Sequence, residues 1–156
     1  MDKEEEFMRA ALTLAQESYD EGEVPVGAVV VKGDEIIGRG YNLVEQCGDP
    51  TAHAETAAIR EAALTLGGWR LTGCTLYATK EPCPMCAGAI VLARLDRLVF
   101  GTPDEKMGYA MTLNNTVQDA RLNHRVEVVG GVLAEESAAL LKKFFASRRA
   151  KSADNI

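Results

Sequence analysis

No apolar run in these 156 residues approaches the ~18 that a membrane-spanning helix needs, so such a helix is not expected. The start, Met1-Asp2-Lys3-Glu4-Glu5-Glu6, lacks the basic-then-apolar layout of an export signal, which makes the cytoplasm the expected compartment. Cysteine is sparse, at four residues, and only Cys83 and Cys86 are paired by spacing. A cytosolic C-x-x-C is more often metal-binding or redox-active than a structural disulfide. Cys47 and Cys74, isolated in sequence, are expected to be small packing residues. Positive charge is short as well: the net charge of −6 argues against indiscriminate nucleic-acid binding. Repeats, low-complexity tracts and interdomain linkers are all missing. One domain over residues 1–156 is expected, with residues 152–156 frayed.

What is present suits a globular domain. Hydrophobic residues make up 47% and charged residues 26%, enough to build a core at this length. Charge is uneven, because Lys142, Lys143, Arg148, Arg149 and Lys151 gather near the end. Any nucleic-acid partner must therefore be met by a local patch.

Phe7, Ala11, Leu14 and Ala15 recur at helical spacing and predict a helix over roughly residues 4–20. A β-branched run over 27–32, the turn dipeptide Gly33-Asp34 and a second run over 35–41 predict a hairpin. Asp49-Pro50-Thr51 opens a helix that Gly67-Gly68 ends. A strand over 75–79, a buried helix over 82–93 and a strand over 97–101 follow. Residues 102–123 are expected to be irregular, with a short helix near 112–119, before a strand over 125–130 and a helix over 134–149. This alternation predicts an α/β fold, a mixed sheet with helices on both faces. The long connection before the last strand permits a parallel crossover.

His53-Ala54-Glu55 and Pro82-Cys83-Pro84-Met85-Cys86 carry the chemistry. A structural zinc site is closed by four protein ligands, whereas a catalytic one keeps a position for water. Three ligands, His53, Cys83 and Cys86, with Glu55 beside them therefore read as a site that activates water. Cys83 and Cys86 share a helix face, and Pro82 suits the first helical turn because its missing N–H would be unpaired there. His53 and Glu55, two apart, would point about 200° apart on an ideal helix. Both reach one site only if His53 sits at the cap or in the first turn. Glu55 would take a proton from zinc-activated water and return it to the leaving amine.

Blander readings exist for each residue. The C-x-x-C alone could be a redox pair or half a zinc ribbon, but Cys47 and Cys74 are too far apart to complete a ribbon. His124 reads as structural or as a nucleic-acid contact. Asn42 is a turn residue whose amide could equally meet a base or ribose. Arg70, Lys106 and Arg125 would ordinarily be solvated, and at most one of Phe144 and Phe145 can face the core squarely.

H-x-E with P-C-x-x-C is the pattern of the zinc nucleobase deaminases. Beyond those motifs, the chain resembles the bacterial tRNA-specific adenosine deaminases of the cytidine-deaminase superfamily over nearly its whole length. The resembling stretches include Gly22–Ala28, Asp49–Glu55, Trp69-Arg70-Leu71, Thr75-Leu76-Tyr77, Glu81–Cys83, Met85–Gly88, Asn123-His124-Arg125, Gly131-Val132-Leu133 and the basic Phe144-Phe145 to Arg148-Arg149 end. The resemblance implies a three-layer α/β/α sandwich around a five-stranded mixed sheet. It implies one zinc on His53, Cys83 and Cys86, with Glu55 shuttling protons. It also implies a homodimer that converts the wobble adenosine of an arginine-tRNA anticodon loop to inosine. Asn42 is then expected at the flipped nucleoside, and Arg70, Lys106, Asn123 and Arg149 at the anticodon stem-loop. The segment Tyr109–Asn115 departs from the family pattern and is expected to line the substrate entrance.

Two rivals remain open at this point. A small-molecule deaminase would act on guanine, cytosine or a free nucleoside. A zinc-stabilised RNA-binding module would show a fourth protein ligand and a dispensable Glu55.

Overall fold

Asp2 starts the first helix: its Oδ1 accepts the Glu5 N–H at 2.8 Å, and α1 runs over Lys3–Asp20. The computed structural model describes residues 2–154. After α1 come the hairpin strands β1 (Gly27–Lys32) and β2 (Glu35–Tyr41), a single turn α2 (Val44–Cys47) and α3 (Ala54–Leu66). Next are β3 (Cys74–Lys80), α4 (Pro84–Leu92), β4 (Arg97–Thr102), a 3₁₀ turn at Thr116–Gln118, β5 (Glu127–Val129) and α5 (Ala134–Asp154).

The strands form one sheet in the order β2-β1-β3-β4-β5. β1 pairs antiparallel with β2 and β3, while β3–β4 and β4–β5 are parallel, so the sheet is mixed as expected. Side chains alternate across it. Val29, Val31, Tyr77 and Val99 pack with Phe7, Met8 and Ala11 of α1. Ala28, Val30, Leu76 and Leu98 face the other way, against Ala58 of α3 and Ile90 of α4. Because β1 is covered on both faces, it reads as a continuous apolar run rather than an alternating one. α5 packs against β4 and α1, where Arg9 pairs with Glu136 at 2.9 Å, which completes the three-layer α/β/α arrangement.

The α3 layer sits unusually close. A Cβ on Gly38 or Gly40 would stand 2.3 Å from the Ala58 or Ala54 carbonyl oxygen, so only glycine lets β2 approach this alanine-rich helix. That contact fixes where α3 begins, and hence where His53 stands.

Several expectations are corrected. The turn α2 was not foreseen; it forms because Glu23, distant in sequence, accepts its N–H groups. Cys47 ends that turn exposed rather than packed, since none of its residues is buried, while Cys74 is buried as expected. The helix expected near 112–119 shrinks to the 3₁₀ turn, and β5 is shorter than 125–130. α5 extends beyond Arg149 to Asp154; residues 155 and 156, part of the expected frayed end, lie outside the described residues. Among the described residues, no helix is long and apolar enough to cross a membrane.

Candidate metal centre and substrate cavity

Two helix starts meet at the carboxyl ends of the parallel strands. His53 is the N-cap of α3, with φ −88° and ψ 157°, and Cys83 is the N-cap of α4, with φ −73° and ψ 175°. Their extended backbones resolve the angular problem: His53 stands off the helix proper, so it and Glu55 of the first turn line the same cavity. Neither cap side chain bonds its own helix, which leaves imidazole and thiol free to turn toward each other. Pro84, not Pro82, occupies the first helical position, because Cys83 rather than an earlier residue is the cap.

His53 Nδ1 lies 3.6 Å from Cys83 Sγ and 3.4 Å from Cys86 Sγ. Zinc bonds of about 2.3 Å to sulfur and about 2.05 Å to nitrogen, spread tetrahedrally, put nitrogen and sulfur donors about 3.6 Å apart. The three side chains therefore already have the spacing of a zinc site. Among the described residues, no fourth His, Cys, Asp or Glu joins them. His124 is elsewhere, its Nε2 2.7 Å from the Leu95 carbonyl oxygen, a structural strap.

Hydrogen bonding moves the two thiols in opposite directions. The hydrogen bond from Cys86 and a second from His53 pull Cys83 down to about 4, against its burial. Cys86 is pushed up, chiefly by that bond and then by burial. His53 is raised, first by the neighbouring Cys83. Burial raises the Glu55 carboxyl above its usual range, and the charge on Cys83 adds to this; the residue is only 4% exposed.

His53, Glu55 and Cys83 floor a cavity of about 280 Å³ whose apolar walls include Val24, Val26, Ala54 and Met107. Two buried carboxylates hold its rims. Glu23 accepts the Glu45 and Gln46 N–H groups at 2.9 and 2.7 Å and so anchors α2. Glu81 accepts the N–H groups of Asp104, Ala110, Met111 and Thr112, at 2.8–3.2 Å, together with the Thr112 hydroxyl. Asn42 also lines the cavity. Its Nδ2 donates to the Val24 carbonyl at 3.0 Å and its Oδ1 accepts the Val44 N–H at 3.2 Å.

Arg70, Lys106, Asn123 and Arg149 are all exposed and none lines this cavity. Arg70 stacks over Trp69, with 4.6 Å to the ring centroid. Of the two consecutive phenylalanines, Phe144 is buried and Phe145 exposed. The loop after β4 does reach the cavity, but through Asp104 and Met107; nothing in Tyr109–Asn115 lines it. Sequence reasoning missed Glu23, Lys80 and Glu81 at the site. A signal for Glu81 existed: the irregular stretch 103–123 carries many backbone donors that need buried acceptors from elsewhere.

Residues 1–102 match the family described as the cytidine and deoxycytidylate deaminase zinc-binding region. A tRNA-specific adenosine deaminase of Bacillus subtilis (strain 168) is 50% identical over 151 residues, 97% of this chain and 94% of that protein. One of Haemophilus influenzae is 48% identical over 147 residues, 94% of this chain and 85% of that protein. A solved structure from a study of A-to-I editing by tRNA:A34 deaminases superposes with a TM-score of 0.83 at 41% identity, covering 86% of this chain and 98% of its own. Guanine deaminase of Nitrosomonas europaea superposes at 0.80 with 25% identity, over 91% and 84%. The donor set and its spacing fit the one zinc ion that this family binds. The chain belongs to the zinc-binding cytidine and deoxycytidylate deaminase family, and within it stands with the tRNA-specific adenosine deaminases.

Proposed function

We propose that this protein converts the wobble adenosine of an arginine-tRNA anticodon loop to inosine. His53, Cys83 and Cys86 hold the zinc, and Glu55 carries the protons. Once bound by these residues, zinc would supply acidity to a water, lowering its pKa from about 15.7 toward about 7. Glu55 accepts the proton, passes it to a ring nitrogen, and protonates the departing amine. Water enters, the C6–N bond breaks, a C6–O bond forms and ammonia leaves. Burial suits Glu55 to this exchange, because a carboxyl held above its usual range gives up a proton less readily to solvent yet still shuttles it.

The observation that carries this reading is Glu55 itself: a buried acid that lines the same cavity as His53 and Cys83 but stands outside the His53, Cys83 and Cys86 group. A cavity of about 280 Å³ suits one splayed base rather than a duplex. Anticodon loops offer such a base at little unstacking cost. The choice of tRNA over a free base is supported by identities of 46–50% to proteins named tRNA-specific adenosine deaminase, against 25% to the guanine deaminase. Asn42 is assigned to the nucleoside, and Arg70, Lys106, Asn123 and Arg149 to the surrounding stem-loop. A homodimer belongs to the same reading; exposed Leu64, Trp69 and Leu92, near the ends of α3 and α4, are apolar surface a partner subunit would cover.

The test uses Glu55→Ala loaded with zinc. The variant is expected to retain one zinc per chain and to release no ammonia from an arginine-tRNA anticodon stem-loop. Retained turnover refutes the proton-carrying role. Deamination of free adenosine, guanine or cytosine by the unaltered protein, with none of the stem-loop, refutes the substrate.

A further inference from the structure

The cavity has an electrostatic imbalance. Glu23, Glu45, Glu55, Glu81 and Asp104 line it, and Lys80 is the one cationic Lys or Arg side chain among them. A nucleotide inside a polynucleotide brings an anionic phosphate on each side of its base. The candidate cations outside the cavity, Lys106, Arg70 and Arg149, leave its interior uncompensated. We propose that Lys80 is the phosphate-binding residue for the target nucleotide, selecting a base that belongs to a polynucleotide over a neutral free nucleoside. This rests on the deaminase reading above and adds a binding residue to it.

The lysine is built to stay in place. Its backbone ends β3, in register with Thr102 of β4, three residues before Cys83. Its Nζ pairs with Asp104 Oδ2 at 2.9 Å, the lysine side chain 31% and the aspartate 12% exposed. Asp104 is itself fixed: its N–H donates to Glu81, and its Oδ1 accepts the Lys106 and Met107 N–H groups at 2.9 and 3.1 Å. An ammonium has three donors, and Asp104 takes one, so donors remain for an anionic oxygen. A part-exposed ion pair is weakly held, and the lysine can share its charge with an entering phosphate. Because Asp104 already orders the long side chain, less rotamer entropy is lost when the phosphate arrives.

The experiment compares zinc-loaded wild type, Lys80→Gln and Lys80→Arg on an anticodon stem-loop with adenosine at the wobble position. Initial rates are measured, and equilibrium binding over a series of salt concentrations is followed in the Glu55→Ala background. Lys80→Gln is expected to lose about tenfold in affinity, seen in KM more than kcat. Its log–log salt slope should flatten by about 0.7, the value of one phosphate contact on a single strand. Lys80→Arg should stay within about threefold of wild type. Uncharged methylphosphonate at one of the two phosphates flanking the target should reproduce the loss in wild type and add nothing in Lys80→Gln. The double variant Lys80→Gln/Asp104→Asn should remain as weak as Lys80→Gln.

Unchanged affinity and slope in Lys80→Gln overturn the proposal. So does a methylphosphonate loss of equal size in both proteins. Recovery in the double variant would trace the defect to an unpaired Asp104 and overturn it too. If wild type neither binds nor deaminates the stem-loop, the deaminase reading falls and takes this proposal with it. If wild type does both, only the lysine is at stake.

Discussion

Replacing Glu81 by glutamine changes one atom and should open one wall of the cavity. The two carboxylate oxygens take five hydrogen bonds: Oε1 from Asp104 N–H and the Thr112 hydroxyl, Oε2 from the N–H groups of Ala110, Met111 and Thr112. The best glutamine orientation puts its oxygen where Oε2 was and keeps three. Its NH₂ then faces the Asp104 N–H, donor against donor, although the Thr112 hydroxyl can rotate to accept. Bonds to a charged acceptor contribute about 1.5–3 kcal/mol and neutral ones about 1 kcal/mol. Losing one and weakening three therefore costs about 3 kcal/mol or somewhat more. That is less than the roughly 5–15 kcal/mol that holds a domain folded, so the loop should open while the fold survives. The loop cannot settle inward to compensate: a Cβ at Gly108 would already stand 2.4 Å from Glu81 Oε1. Hydrogen exchange reads the result directly. The Asp104, Ala110, Met111 and Thr112 amides should exchange roughly 100-fold faster, at ~1.4 kcal/mol per tenfold, while Val29 and Leu76 in the sheet keep their protection. The pH dependence has a definite sign. Burial alone would raise the Glu81 carboxyl, but the Thr112 hydroxyl and the backbone N–H groups outweigh it and hold it below its usual 4.5. A depressed folded pKa gives stability that is present above 4.5 and lost as pH falls through the folded value. Wild type should lose this contribution on acidification and Glu81→Gln should not. Equal protection of the four amides in both proteins would refute the reasoning.

Changing Lys142 and Arg149, both exposed on α5, to glutamine should weaken stem-loop binding and flatten its salt dependence. Salt-titrated binding checks this, and an unchanged slope clears the helix of any role. Sedimentation velocity should give about twice the 16.8 kDa of the chain, and Leu92→Glu, at 70% exposure, should shift it toward the monomer. A wild-type species at the mass of one chain refutes the dimer.

Local signals were enough for the architecture. Hydrophobic period and turn residues placed the hairpin strands to the residue and the helices to within a few, because each records which side of an element faces the core. The metal group was legible because its chemistry restricts residue type: the C-x-x-C alone could be a redox pair, but together with the His53-Ala54-Glu55 motif it reads as a water-activating zinc site. What stayed hidden were residues whose role depends on distant partners. Glu23, Glu81 and Lys80 look like solvated charges in sequence, and only the approach of α2 and the loop after β4 gives them their contacts. The same holds for Cys47, exposed although cysteine is usually buried.

Sequence alone determined the mixed α/β sheet and the three side chains positioned to hold a metal ion, since periodicity and ligand chemistry are properties of residue type and spacing. The tertiary structure decided that His53 and Cys83 are helix caps turned toward a common point, and that Lys80 rather than Lys106 lines the cavity. Burial and convergence are set by contacts between residues far apart along the chain, and those exist only once the sheet has brought them together.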